Sequence, residues 1–154
     1  MTTVLLIIHS LLAVTLLGAI THQAVSVAWP RRYRSASFVA SFRGVNGMTY
    51  TNAIVVLFLA TAVLGSIIYP AYRLNVRTVL QRLHLFGPEG SFEIKEHFVA
   101  IGAGLLPAYW YFWKRNTAES AGKTRMAITV LLAVIVWVAF LVGHVLNNIR
   151  GFGS

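Results

Sequence analysis

Apolar residues in this chain fall into four long runs, with polar residues gathered in the stretches between them. The runs lie near Thr3–Trp29, Met48–Tyr69, Phe92–Trp113 and Met126–Asn147. Each is about as long as the roughly 20 helical residues needed to cross a hydrocarbon core of about 30 Å. Strands with open edges leave backbone groups unsatisfied in lipid, so the runs predict helices. The expected architecture is all-α, an integral membrane four-helix bundle occupying residues 1–154 as a single transmembrane domain.

Punctuation sets the expected boundaries. Pro30 stops the first span, and Pro70 is expected to end the second, because proline lacks the donor that would continue the helix. The link Ser35–Gly47 has room for a short amphipathic helix. In the longest connection, Leu74, Val76, Val79, Leu80 and Leu83 interleave with Arg73, Arg77 and Arg82. That spacing predicts a helix lying in the interface over about 72–85. The run Gly87-Pro88-Glu89-Gly90-Ser91 is expected to break it, with Gly90 or Ser91 capping the third span.

Composition agrees with a bilayer. Of 154 residues, 57% are hydrophobic and 11% charged, whereas a soluble domain carries about 25% charged residues. The net charge of +9 is not a nucleic-acid signature, because the basic residues sit at span ends. Arg31, Arg32, Arg34, Arg43, Lys114, Arg115, Lys123 and Arg125 lie on one side; Arg73, Arg77, Arg82, Lys95 and Arg150 lie on the other. The richer side is expected to be cytoplasmic, which places both termini outside, N-out and C-out. The basic rims suit anionic head groups of the lipid bilayer. The N-terminal run lacks a basic leader and exceeds the usual signal-peptide length, so it reads as a retained span. With no cysteine, disulfides, thiolate metal sites and covalent haem attachment are excluded. A bacterial inner membrane is the expected setting.

Three histidines carry the main chemical suggestion. His9, His97 and His144 each lie about four or five residues inside the expected outer end of a span. At 1.5 Å per residue this puts all three roughly 6–8 Å below one surface. Ionisable groups at membrane depth are costly, and neutral imidazole is a common haem-iron ligand. A same-level set in a four-helix bundle thus points to axial ligands, with Arg73, Arg77 and Arg82 placed to pair with haem propionates. The alternative for each histidine is an interhelical hydrogen bond. Glu93 and Glu96 flank His97, and the three form a candidate hard-metal or proton-entry set in which a carboxylate one turn away orients the imidazole. The favoured reading of Glu89, Glu93 and Glu96 is nevertheless salt bridging to Arg73, Arg77 or Arg82. His22 is 13 residues from His9, about 140° around a helix, which disfavours a second haem on the same face. It is read as a packing residue and His84 as a surface one. Asn52 and Thr61 are candidates for bonds across helices. Phosphate-binding loops, nucleophilic triads and metalloprotease motifs are absent, so a stand-alone hydrolase is not expected.

The opening Leu5-Leu6-Ile7-Ile8-His9-Ser10, followed by Leu16-Leu17-Gly18, resembles the first helix of several small membrane families. These are the copper-resistance D family, the bacterial membrane protoporphyrinogen oxidase and the four-helix b-type cytochromes. The resemblance covers about a sixth of the chain and carries over onto His9 and Gly18; Phe92-Glu93-Ile94-Lys95-Glu96-His97 matches no signature of these families. It implies a b-type haem held between helices.

The resulting expectation is a b-type cytochrome-like electron-transfer protein, or the haem-bearing subunit of a membrane redox complex, with haem b held by His9, His97 or His144. Its partners would be other membrane subunits or further copies of itself, a quinone, and no nucleic acid. Two other classes stay open. One is a cofactor-free accessory subunit, and the other is a copper- or zinc-handling protein using His97, Glu93 and Glu96.

Overall fold

A computed structural model describes residues 2–28, 47–116 and 118–151. The expected amphipathic link, and the basic cluster Arg31, Arg32, Arg34 and Arg43, lie outside the described residues. Within them the chain is helical, with no strand. Four long helices are present: α1 (Thr2–Ala28), α2 (Gly47–Tyr72), α4 (Phe86–Lys114) and α5 (Gly122–Gly151). A π-helical turn, Arg73–Arg77, and the short α3 (Thr78–Arg82) extend α2, and a 3-10 turn, Glu119–Ala121, leads into α5. The long helices alternate in direction and form a ring, in which α1 packs on α2 and α5, and α4 packs on α5 and α2.

Three helical stretches are long and apolar enough to cross a membrane: Thr3–Ala28, Gly47–Arg82 and Glu119–Asn148. Helix α4 is equally long, at 29 residues, but falls short in composition. Its first part carries Glu89, Glu93, Lys95 and Glu96, and it ends in Tyr109-Trp110-Tyr111-Phe112-Trp113-Lys114. Indole and phenol are amphipathic groups suited to an interface more than to the middle of a bilayer.

Two expected breaks do not occur. Pro70 lies inside α2, and the helix continues to Tyr72 and, through the π turn, to Arg82. A proline deletes one backbone bond, and a π turn is a common way to absorb such an irregularity without ending the helix. The run Gly87–Ser91 likewise does not separate the outer segment from the third span, since α4 already begins at Phe86. Pro88 falls in the first turn, where its missing donor has no partner to lose, and Ser91 Oγ donates to the Gly87 carbonyl at 2.8 Å instead of capping. The reversal is one turn earlier, at His84, whose φ of 54° is left-handed. Leu80 of the outer segment is buried while Leu74 and Leu83 are exposed, so the segment rests on the bundle by one face.

The core is a column of Leu16 and Ile20 from α1, Ile54 and Phe58 from α2, Leu106, Tyr109 and Trp113 from α4, and Leu132, Ala133 and Val136 from α5. Glycine sets the spacing at two points. A β-carbon on Gly47 would stand 2.7 Å from Trp113 Cη2, and one on Gly102 would stand 2.7 Å from Phe58 Cζ.

Candidate functional site

Polar groups concentrate at the two ends of this column, and the two ends differ in kind. At the end where α1 gives way to α2, a layer of neutral polar side chains is buried between the helices. Gln23 of α1 is fully buried. Its Nε2 donates to the Gly47 carbonyl at 2.8 Å and to Thr51 Oγ1 at 3.4 Å, both on α2. The Tyr109 hydroxyl of α4 donates to Gln23 Oε1. Beside this knot, Trp113 Nε1 donates to Thr129 Oγ1 of α5 at 2.9 Å, and Thr129 in turn donates to the Arg125 carbonyl at 2.7 Å. Trp110 Nε1 donates to Asn52 Oδ1 at 3.0 Å, the cross-helix bond open to Asn52 from sequence. Thr61 instead bonds back to Leu57 O within α2. Burying a polar group costs free energy unless it is paired; these bonds link all four helices, while Arg125 Nε beside them is buried with no partner. Sequence reasoning missed Gln23, Tyr109 and Thr129. The available signal was an amide within an apolar run, at a level that the tyrosine end of α4 can reach.

The opposite end is charged. Arg77 Nε lies 2.7 Å from Glu89 Oε1, and its Nη2 lies 3.0 Å from Glu93 Oε1. Gln81 Nε2 also donates to Glu89 Oε1, at 2.7 Å. The extension of α2 is thus clamped to the start of α4, as the favoured sequence reading of these glutamates has it. Arg77 is thereby committed to two carboxylates, and Arg73 is exposed. A stack of Phe92, Tyr72 and Tyr69 lies under the clamp, with Phe92 and Tyr72 centroids 3.9 Å apart.

The three expected ligand histidines take different postures. His9 is half-buried with its ring against Gly65 of α2, where a β-carbon would stand 3.3 Å from Cε1. Its Nδ1 is buried with no hydrogen-bond partner. His97 is exposed, and its Nδ1 lies 2.7 Å from the Glu93 carbonyl oxygen. A carbonyl only accepts, so Nδ1 carries the proton and Nε2 presents a free lone pair to the outside. His144 is exposed on α5, and its Nε2 is 3.2 Å from Asn148 Nδ2. The Asn148 amide donates to it and occupies that lone pair. His22 packs beside Tyr50, with ring centroids 5.5 Å apart.

These postures test a haem. An axial imidazole needs an unprotonated nitrogen and a partner holding the other one. His97 fits by itself, and His144 does not. His9 keeps its unpartnered Nδ1 buried inside the bundle. His9, His97 and His144 thus take three different settings, on α1, α4 and α5. Depth along a helix is fixed by counting residues, whereas direction around it is fixed by packing. Among the described residues no group of three His, Cys, Asp or Glu side chains is placed to hold a metal ion, and Glu93 is bound to Arg77.

Compared with known protein families, with curated proteins and with solved structures, the chain matches none of them.

Proposed function

We propose that this chain is an integral membrane subunit of a redox assembly, with both termini on the outer side, in which His97 serves as an axial ligand to a b-type haem. The observation that carries the reading is the posture of His97. Its Nδ1 is held on the Glu93 carbonyl at 2.7 Å and its Nε2 is left bare at an exposed position. A backbone carbonyl in this role fixes the tautomer and the ring plane of a metal-bound histidine. The haem would supply one-electron transfer. The chain supplies the oriented imidazole and, through the Arg77–Glu93 bond, a helical turn pinned to the extension of α2 just before it. The second ligand would come from beyond the bundle face that bears His97, which is why the reading is a subunit and not a self-contained cytochrome.

A second reading has its own support. His97 and His144 are both exposed on adjacent helices, and polar side chains at spanning depth are normally covered by protein. A cofactor-free accessory subunit would use the same face for docking alone.

One experiment separates them. The protein is purified in mild detergent with whatever chains accompany it, and a reduced-minus-oxidised visible spectrum is recorded with a haemochrome assay. A b-type band that disappears in His97→Ala supports the first reading. A colourless, folded assembly supports the second.

A further inference from the structure

The outward faces of the long helices are not alike. On α1, α2 and α5 they carry large aliphatic side chains, among them Ile7 and Leu11, Val63 and Ile67, and Val134 and Leu141. Such faces suit lipid tails. Helix α4 runs beside α2 at the same depth, with Gly102 against Phe58 and Trp113 against Gly47, yet its outward face is of another kind. Glu93, His97, Ala100, Gly104, Pro107 and Tyr111 are all exposed. Between His97 and Tyr111 this strip holds only alanine, glycine and proline. Its positions step by four, three, four, three and four residues, the alternation of a coiled-coil seam. Polar side chains at spanning depth are normally covered by protein, and small ones let a second helix come close. A β-carbon at Gly104 would meet nothing within 4 Å, so the space in front of it is open.

The strip also specifies what covers it. Copies of one chain enter a bilayer in the same orientation, so two of them pair about an axis along the membrane normal. Two α4 helices then run parallel, and each level of the strip meets its own level, small residues against small ones. Charge agrees with this. Glu93 lies 3.0 Å from Arg77 of its own chain, which offsets repulsion between the copies. Glu96 is exposed, and the ion pairs among the described residues are those of Arg77. Successive helical residues turn by about 100°, which sets Glu96 on one flank of the strip while His97 leans to the other. Across a two-fold axis the flanks change over. Glu96 of each copy then comes to the side on which the second copy's imidazole leans, at the same level, so each copy supplies an acid beside the other's base.

We propose that a second copy of this chain covers the α4 strip, in a parallel two-fold pair with its closest approach at Gly104. The pair rests on the reading, common to both functions above, that the face bearing His97 is covered by protein. Its partner is the chain itself, and it brings a second imidazole to the level at which the haem reading needs another ligand.

The chain has no cysteine, so single cysteines report contact. In native membranes treated with copper phenanthroline, Gly104→Cys is expected to give a disulfide-linked dimer. Val63→Cys, on the aliphatic face of α2, is expected to stay monomeric. Gly104→Leu adds a side chain where the single chain has room for it. It is expected to keep its helicity and to weaken the pair by about tenfold, read as energy transfer between labelled copies diluted in liposomes. Equal cross-linking of Val63→Cys, a Gly104→Cys adduct with a different protein in place of the dimer, or unchanged energy transfer in Gly104→Leu overturns the proposal. The cysteine readout stands even if Gly104→Leu does not fold. Haem content keeps the two readings apart. A dimer without haem keeps the pair and removes the haem, whereas one haem in a chain that does not self-associate removes the pair and keeps the haem.

Discussion

Tyr109 on α4 donates its hydroxyl hydrogen to Gln23 on α1, 86 positions away in the chain. Both residues are fully buried, where a lost hydrogen bond is costly. Tyr109→Phe removes the donor and leaves Gln23 Oε1 bare. A loss of about 1–3 kcal/mol in unfolding free energy is expected. Adding Gln23→Leu should cost less than the sum of the two single changes, because the orphaned group is removed with its partner. Denaturant titration of the four proteins of this cycle in detergent checks it.

Two glycines two residues apart should behave oppositely. A β-carbon at Gly102 runs into Phe58 and Ile135, while one at Gly104 meets nothing within 4 Å. Gly102→Ala is expected to destabilise by about 1–3 kcal/mol through overpacking. Gly104→Ala is expected to be neutral, or to stabilise by up to about 1 kcal/mol through helix propensity. Thermal melts of the two variants in one detergent compare them directly.

The Arg77 clamp should hold a place more than it holds the fold. Its side chain is 26% exposed, against 12% for Glu89 and 52% for Glu93, so solvent screens the Glu93 pair more than the Glu89 pair. Arg77→Ala should leave the global stability nearly unchanged, as for most solvent-screened ion pairs. It should also free the extension of α2, so that trypsin cleaves after Arg82 faster than in the parent protein. High salt should produce part of the same acceleration in the parent.

His97 and His144 separate on the haem reading. His97→Ala is expected to abolish haem retention, whereas His144→Ala, whose Nε2 already accepts from Asn148, should keep the full complement. Pyridine haemochrome content per chain measures both. Equal retention in the two variants would remove His97 from the ligand role.

Helical class and the existence of the long helices could be read from hydrophobic run length, since a backbone in an apolar setting has few other solutions. The ends could not be read as well. Pro70 and the Gly87–Ser91 run signal breaks in isolation, but neighbouring helices and a π turn keep the chain helical through one, and a first-turn position tolerates the other. The level of His9, His97 and His144 followed from counting residues along each span. Which way each ring faces depended on choices the chain makes elsewhere, such as the Asn148 amide one turn from His144 and the Gly65 surface opposite His9. Gln23 was missed for a related reason. A single amide has no periodicity, and its partners Gly47, Thr51 and Tyr109 come from two other helices.

The helical stretch Gly47–Arg82 runs for 36 residues, which at 1.5 Å each is about 54 Å. A hydrocarbon core is about 30 Å thick. If its Gly47 end stands at one boundary, the last turns of this rod rise well clear of the other, carrying Arg77 with them. The outer end of the molecule would then be a raised mast braced by α4. Whatever approaches this end would meet the charged crown of Arg77, Glu89 and Glu93 before it met the spans.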